Sequence, residues 1–207
     1  MKLQPLAFVL LFSYTLWGQV GIGTSTPNAE LEIKSPTDQL PALELNPQTA
    51  PDGTAMGQIS VINTPDYGPE LFMFDTTRTD NTGQGKWLTI GSSSFNFGRE
   101  GGQNNSTLEY AGDITSSGPK MPRKGTIVYA SLNSSGGNAT KEIRITIHNS
   151  AGVEQSSTSL NLVGGSLKKT DFNLDFEAGD YIRVHVGNGG GNNVNDPTAV
   201  IWVKWRK

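Results

Sequence analysis

KEIRITIHNS, residues 141–150, alternates without a break: Ile143, Ile145 and Ile147 fall on one side of an extended chain, Arg144, Thr146 and His148 on the other. A period of two marks a strand with one face in a core and the other in solvent. DYIRVHVGNGG (Asp180–Gly190) repeats the pattern, with Ile182, Val184 and Val186 opposed to Tyr181, Arg183 and His185. Around these two lie GTIVYASLN (Gly125–Asn133), STSLNLVGG (Ser157–Gly165), KTDFNLDFEAGD (Lys169–Asp180) and TAVIWVKWRK (Thr198–Lys207), each bounded by Gly, Asn or Asp. That density of short alternating runs and turn residues predicts a β-sandwich over residues 119–207.

The closing strand breaks the alternation. Ala199, Ile201, Val203 and Trp205 are apolar on one face, and Val200 and Trp202 are apolar on the other. A strand of this kind asks for cover on both sides, from the N-terminal segment or from a second subunit. Ile201, Trp202, Val203 and Trp205 are therefore the candidate oligomer interface.

Upstream, residues 19–94 break into short extended pieces: AELEIKS, PALELNP, GQISVIN, ELFMFDTT and KWLTIG. Leu31 and Ile33 share a face against Glu30, Glu32 and Lys34, and Leu43 and Leu45 repeat that pattern. Each piece hides only two or three apolar side chains, too few for a core of its own, so each requires a partner. Between the two parts, SSSFNFGREGGQNNSTLEYAGDITSSG is polar and glycine-rich, and residues 95–118 are read as a linker. No helical period is sustained anywhere in the mature chain, and the fold class is all-β.

The first eighteen residues, MKLQPLAFVLLFSYTLWG, combine one Lys with an apolar run and a small residue. This is the pattern of a secretory signal peptide, too short and too weakly flanked to anchor in a membrane. Cleavage is expected beside Gly18 or Gln19, although Leu16 is larger than the residue usually found there. With no Cys at the junction the chain is not a lipoprotein, and with none in its 207 residues it is not stapled by disulfides. A net charge of −3 gives no electrostatic footprint for nucleic acid or for an anionic membrane surface. The expected location is outside the cytoplasm, in the periplasm, at the cell surface or beyond it.

Catalytic raw material is thin. His148 and His185 are the two histidines, both on presumed outer strand faces, and no nucleophile elbow is present. GNGGGNN (Gly187–Asn193) lacks the Lys-Ser/Thr and the helix of a phosphate loop and reads as a hairpin loop. Asp171, Asp175 and Glu177 share a strand parity, but their spacing is not that of an EF-hand loop. Trp87, Trp202 and Trp205 are assigned to a core or an interface rather than to a sugar platform. No catalytic residue, metal site or cofactor is assigned. Tyr181, Arg183 and His185 remain as outward residues able to contact a glycan or a surface protein.

VGIGTSTPNAELEI (Val20–Ile33) resembles the Gly-Ile-Gly-Thr-x-x-Pro-x-x-x-Leu-x-Ile/Val cassette of exported and tail-fibre-like proteins of Bacteroidetes, and Gly57–Gly91 resembles more loosely the segment that follows it there. PKMPRKGTIVYASL, LDFEAGDYIRVHV and the closing apolar strand are similar to the β-sandwich heads of phage tail fibres. They are similar in outline also to the jelly rolls of the complement-globular-head and tumour-necrosis-factor-like group. The resemblance implies a homotrimer with an extended N-terminal β-stalk and a jelly-roll-like C-terminal head serving adhesion or recognition. The alternative is a structural subunit of an extracellular or envelope assembly with no ligand of its own. Phage fibres assemble in the cytoplasm, and the export leader departs from that pattern.

Overall fold

The computed structural model describes residues 20–22, 31–33, 41–112, 118–189 and 192–207. The expected signal peptide and the cleavage site expected at Gly18 and Gln19 lie outside them. The chain is all-β, with no helix among the described residues, and divides into two units, Met1–Asn46 and Pro47–Lys207.

In the first unit, β1 (Val20–Ile22) pairs in parallel with β2 (Leu31–Ile33), Val20 opposite Leu31 and Ile22 opposite Ile33. Val20–Ile22 carries two β-branched residues, which favour an extended strand. The strand expected around Leu43 and Leu45 does not form. Bracketed by Pro41 and Pro47, which lack a donor for a ladder, both leucines stand exposed.

The second unit opens with an antiparallel meander, β3 (Ile59–Thr64), β4 (Gly68–Thr79) and β5 (Gly85–Thr89). Ile62, Phe72, Phe74 and Trp87 make its small core, with the Phe74 and Trp87 rings 5.3 Å apart. Gly53 lies flat on the Phe74 ring, where a Cβ would come within 2.1 Å of a ring carbon.

The remaining strands build a sandwich. They are β6 (Ser93–Gly98), β7 (Gly102–Gln103), β8 (Ser106–Thr107), β9 (Glu109–Tyr110), β10 (Gly125–Asn133), β11 (Gly136–Gly137), β12 (Glu142–His148), β13 (Glu154–Asn161), β14 (Ser166–Lys169), β15 (Leu174–Phe176), β16 (Tyr181–Val186), β17 (Val194–Asn195) and β18 (Thr198–Trp205). One sheet runs β14-β10-β18-β6-β9, with β15 also on β10; the other runs β13-β12-β16-β8. A small sheet, β11-β17-β7, ties loops together at one end. The chain crosses between the two large sheets several times, with β12 and β13 forming a hairpin within one of them. Ile127, Ala130 and Leu132 of β10 and Ala199, Ile201 and Val203 of β18 meet the isoleucines of β12 and the inner residues Ile182, Val184 and Val186 of β16 in one core.

Two expectations change here. Residues 95–118 are not a linker throughout: Phe97 and Leu108 are buried in the sandwich core, and Phe95 and Tyr110 pack against it. Phe95 with Phe97 and Leu108 with Tyr110 do alternate, but each run is only two apolar residues long among Gly, Asn and Ser, too short to mark a core strand. Ile201 and Val203 cannot form a subunit interface, because both are fully buried between the chain's own sheets. Trp205 is covered within the chain as well, by the Phe176 ring and by the Arg123 guanidinium, 5.1 Å from its centroid. Trp202 alone of the four faces outward, edge-on to Tyr129 at 4.6 Å.

The meander is fixed to the sandwich by charge. Along β10, β14 covers residues 130–133 and β15 covers 125–127, and the gap between them coincides with a bulge at Val128. Carbonyls left without a ladder partner in that gap are taken by Arg78 of β4, which donates to Phe172 O at 2.8 Å and to Val128 O and Thr170 O at 3.0 Å. Asp75 accepts from the same guanidinium at 2.7 Å. Beside it, the Lys86 ammonium donates to Asn173 Oδ1 and to both oxygens of Asp175. The chain end completes the seam, where Trp205 N donates to Thr89 Oγ1 and Lys207 N to Trp87 O. The rest of the chain is therefore the partner that these short N-terminal strands required.

Burial by itself would raise the Asp75 pKa, but hydrogen bonds from Thr77 and Arg78 outweigh it and hold the group below its ordinary 3.8. Its stabilisation is complete above that value and is lost as pH falls through the lower folded-state value. Arg78→Met keeps the aliphatic stem but strands these acceptors, and should lower stability by about 2–4 kcal/mol. Its acid unfolding should also shift to higher pH than wild type. Urea titrations followed by Trp fluorescence test this, and a loss below about 0.5 kcal/mol would remove Arg78 from this role.

Candidate functional site

Register puts the outward residues of β12 and β16 on one surface. Arg144 faces His185, Thr146 faces Arg183 and His148 faces Tyr181. On the far side of β16, Thr107 of β8 stands opposite His185; on the far side of β12, Ser159, Ser157 and Glu154 of β13 stand opposite Arg144, Thr146 and His148. Directly opposed side chains in an antiparallel ladder lie about 5 Å apart, so the structure brings Tyr181, Arg183 and His185 together with four groups that the sequence reading did not join to them: Arg144, Thr146, His148 and Thr107.

His148 is not a solvated strand histidine. It is buried, and its ring stacks on Tyr181 with centroids 5.2 Å apart and planes 13° from parallel. Nδ1 lies 3.1 Å from Gly152 O and Nε2 lies 2.9 Å from Thr146 Oγ1. A carbonyl only accepts, so Nδ1 carries the hydrogen, and in the neutral ring Nε2 takes the Thr146 hydroxyl proton. The imidazole is thus a fixed shelf on which the Tyr181 ring rests.

His185 sits in a second chain of bonds. Its Nε2 is 3.2 Å from Asn105 Oδ1 and its Nδ1 is 3.4 Å from Thr107 Oγ1, while Arg183 donates to that same hydroxyl at 3.4 Å. A hydroxyl that accepts from Arg183 can give its own hydrogen to Nδ1, which suits a neutral imidazole. Burial pushes the His185 pKa below the ordinary 6.5, and the Arg183 and Arg144 charges push the same way against a smaller opposite pull from Glu142. Arg144 is engaged by Glu154 at 2.6 Å and Ser157 at 3.0 Å. Among the described residues no carboxylate lies within ion-pair distance of Arg183. The surface offers a supported aromatic ring, a guanidinium with no carboxylate partner among the described residues and several hydroxyl and amide groups, which is the equipment for binding a polar ligand.

The other sequence candidates are occupied within the fold. Asp175 is shared by Lys86, Thr126 and, at 3.7 Å, Arg206; Glu177 bonds Arg206, and Asp180 caps Glu177 N. No group of three or more acidic, His or Cys side chains able to hold a metal occurs among the described residues. In GNGGGNN, described carbonyls of the loop face a buried cation rather than a phosphate. The carbonyls of Gly189 and Asn192, with Asn104 Oδ1, surround the ammonium of Lys141, whose residue is fully buried. Trp87 is buried, with its indole N–H donating to Pro51 O.

No protein-family model matches the chain, and no curated protein matches it. Among solved structures, an arabinose-bound α-L-arabinofuranosidase, MgGH51, is similar over 74% of this chain and 22% of its own length, at 7% identity and a TM-score of 0.31. FLHE is similar over 57% of this chain and 100% of its own, at 16% identity and a TM-score of 0.31. A family two carbohydrate esterase from Cellvibrio japonicus is similar over 56% of this chain and 35% of its own, at 17% identity and a TM-score of 0.27. Likeness at this level carries no functional inference.

Because the folded state disfavours the charged His185, its stabilising contribution is complete above the ordinary histidine value and is lost as pH falls through the lower folded one. Two-dimensional NMR of the imidazole should give a titration midpoint below 6.5. Arg183→Gln should raise that midpoint; a wild-type midpoint at or above 6.5 would contradict the geometry.

Proposed function

We propose that this chain is an exported, non-enzymatic recognition protein that acts as a homotrimer. A β-stalk at its N-terminus carries a jelly-roll-like head whose β12/β16 face binds a glycan or a surface protein. The observation that carries the reading is the Tyr181–Arg183–His185 row. Tyr181 is backed by a buried imidazole, and Arg183 has no carboxylate partner among the described residues. A side chain ordered by its neighbours loses little freedom when a ligand arrives, which favours binding. The passage of the long strands between two sheets supports the jelly-roll description. In the first unit, the exposed Leu31, Leu43 and Leu45 support a stalk completed by identical copies. Three heads on one stalk would convert weak single contacts into avidity.

A second reading, a structural subunit without a ligand, is favoured by a different observation. On the outer face of the six-stranded sheet, Trp202, Tyr129 and Val200 form a half-exposed apolar group suited to contact with another protein.

Two measurements separate these readings. The alanine triple at Tyr181, Arg183 and His185, assayed on cells and on a glycan array, should weaken binding about tenfold or more, equivalent to about 1.4 kcal/mol. Unchanged binding would remove the face from the proposal. Light scattering of the mature chain should give a closed trimer, whereas a monomer, or an open polymer dispersed by Trp202→Glu, would favour the structural subunit.

A further inference from the structure

The charge on the β12/β16 face is unevenly settled. Arg144 has its own carboxylate in Glu154, and Arg99, whose guanidinium reaches Thr107 O, lies 3.7 Å from Glu109. Among the described residues Arg183, in the middle of β16, meets the Thr107 hydroxyl, a long and neutral contact, and no carboxylate. It stands one strand period from Tyr181 on one side and from His185 on the other, about 7 Å in each direction. That spacing places a flat aromatic surface, a guanidinium and an imidazole in a line about as long as two sugar units.

We propose that this face selects an acidic saccharide: a sugar ring packs on Tyr181 over His148, and the carboxylate or sulfate of the same or the adjoining unit lies on Arg183 beside His185. The inference rests on the recognition reading above and adds the charge class of the ligand. A guanidinium matches both oxyanions because its paired N–H donors meet two oxygens at once. Thr107 and Asn105 hold His185 from one side, Thr146 is committed to His148 and Arg144 to Glu154, so the guanidinium of Arg183 is the group left to meet an oxyanion.

The site also predicts its own pH dependence. The charged groups facing His185 are Arg183 on its own strand and Arg144 and Glu142 on β12, with Glu154 of β13 already engaged by Arg144; Thr107 and Asn105 face it from the β8 side. An anion placed there offsets the two guanidinium charges and favours the protonated imidazole, so affinity must rise as pH falls. A shift of half a unit in the His185 pKa on binding corresponds to about a threefold change in affinity.

The test uses the full mature chain and three immobilised polymers: dextran sulfate, polygalacturonate and neutral dextran. Retention is measured at about pH 8 and about pH 5.5, on either side of the histidine range. The expected result is binding to one or both polyanions and none to dextran. Dextran sulfate alone would identify sulfate as the group recognised, polygalacturonate alone a carboxylate, and each supports the proposal. Arg183→Gln should weaken binding about tenfold, the loss of one charge-assisted contact. Lys168→Gln, which removes the same charge from an exposed site on the other sheet, should leave it unchanged. His185→Gln should bind with the pH dependence abolished. Equal weakening by Lys168→Gln would reduce the effect to general attraction and overturn the proposal. Binding to neutral dextran that survives Arg183→Gln but not Tyr181→Ala would also overturn it, while leaving the recognition face intact. Failure of the wild-type chain to retain any of the three would count against the acidic-saccharide class, and the cell assay would then decide the recognition reading separately.

Discussion

The edge of β10 is where the architecture of the second unit is decided. A continuous strand beside β10 would satisfy its own carbonyls and present a smooth edge, but the chain steps away between Lys169 and Leu174, opposite the Val128 bulge. Carbonyl oxygens turned away from a ladder are costly to leave unpaired when partly buried. The Arg78 guanidinium resolves this by donating to three of them while its charge is balanced by Asp75. Because Arg78 belongs to the meander, the repair of an interrupted strand also holds the N-terminal strands in place. Lys86 with Asp175, and Arg123 with Glu70, extend the same seam.

Such a seam is selective because its parts cannot be exchanged freely. Breaking one partner of a partly buried pair leaves the other uncompensated, so the geometry tolerates one arrangement and penalises others. The contrast with Lys141 is instructive. Its ammonium is enclosed by two carbonyls and one amide oxygen, with no carboxylate among the atoms it bonds, and it thereby gathers the loops around Asn104, Gly189 and Asn192. In both places a cation organises backbone that is not part of a ladder, which is the recurring problem in a chain with 25 glycines and many short strands.

The outer face of the four-stranded sheet depends on this framework only through register. With Ile143, Ile145 and Ile147 fixed inward, a slip of one residue would turn every polar group of β12 into the core. The buried isoleucines therefore hold Arg144, Thr146 and His148 opposite His185, Arg183 and Tyr181. The Tyr181–Arg183–His185 row is the reverse side of the core, and its order comes from the packing beneath it. What distinguishes Arg183 from Arg144 is the neighbour on the third strand, since Glu154 reaches Arg144 and no carboxylate reaches Arg183 among the described residues.

By itself the sequence determined the all-β class, the strands around residues 125–133, 142–148, 181–186 and 198–205, and the outward parity of Tyr181, Arg183 and His185. These follow from local alternation, which needs no knowledge of partners. Alternation could not show that Phe97 and Leu108 belong to the core, because each shares its parity with one apolar neighbour, Phe95 or Tyr110, in a run too short to read. Nor could it tell whether the two-sided β18 is covered by another chain, since Ile201 and Val203 become internal only when the second sheet is in place. The stacking of His148 under Tyr181, the bonding of Asp175 to Lys86 and the enclosure of Lys141 join residues far apart in the chain. Parity says which way a side chain points; only the assembled tertiary structure decides what it meets there, because partners across a ladder are set by register and loop closure, which no local pattern encodes.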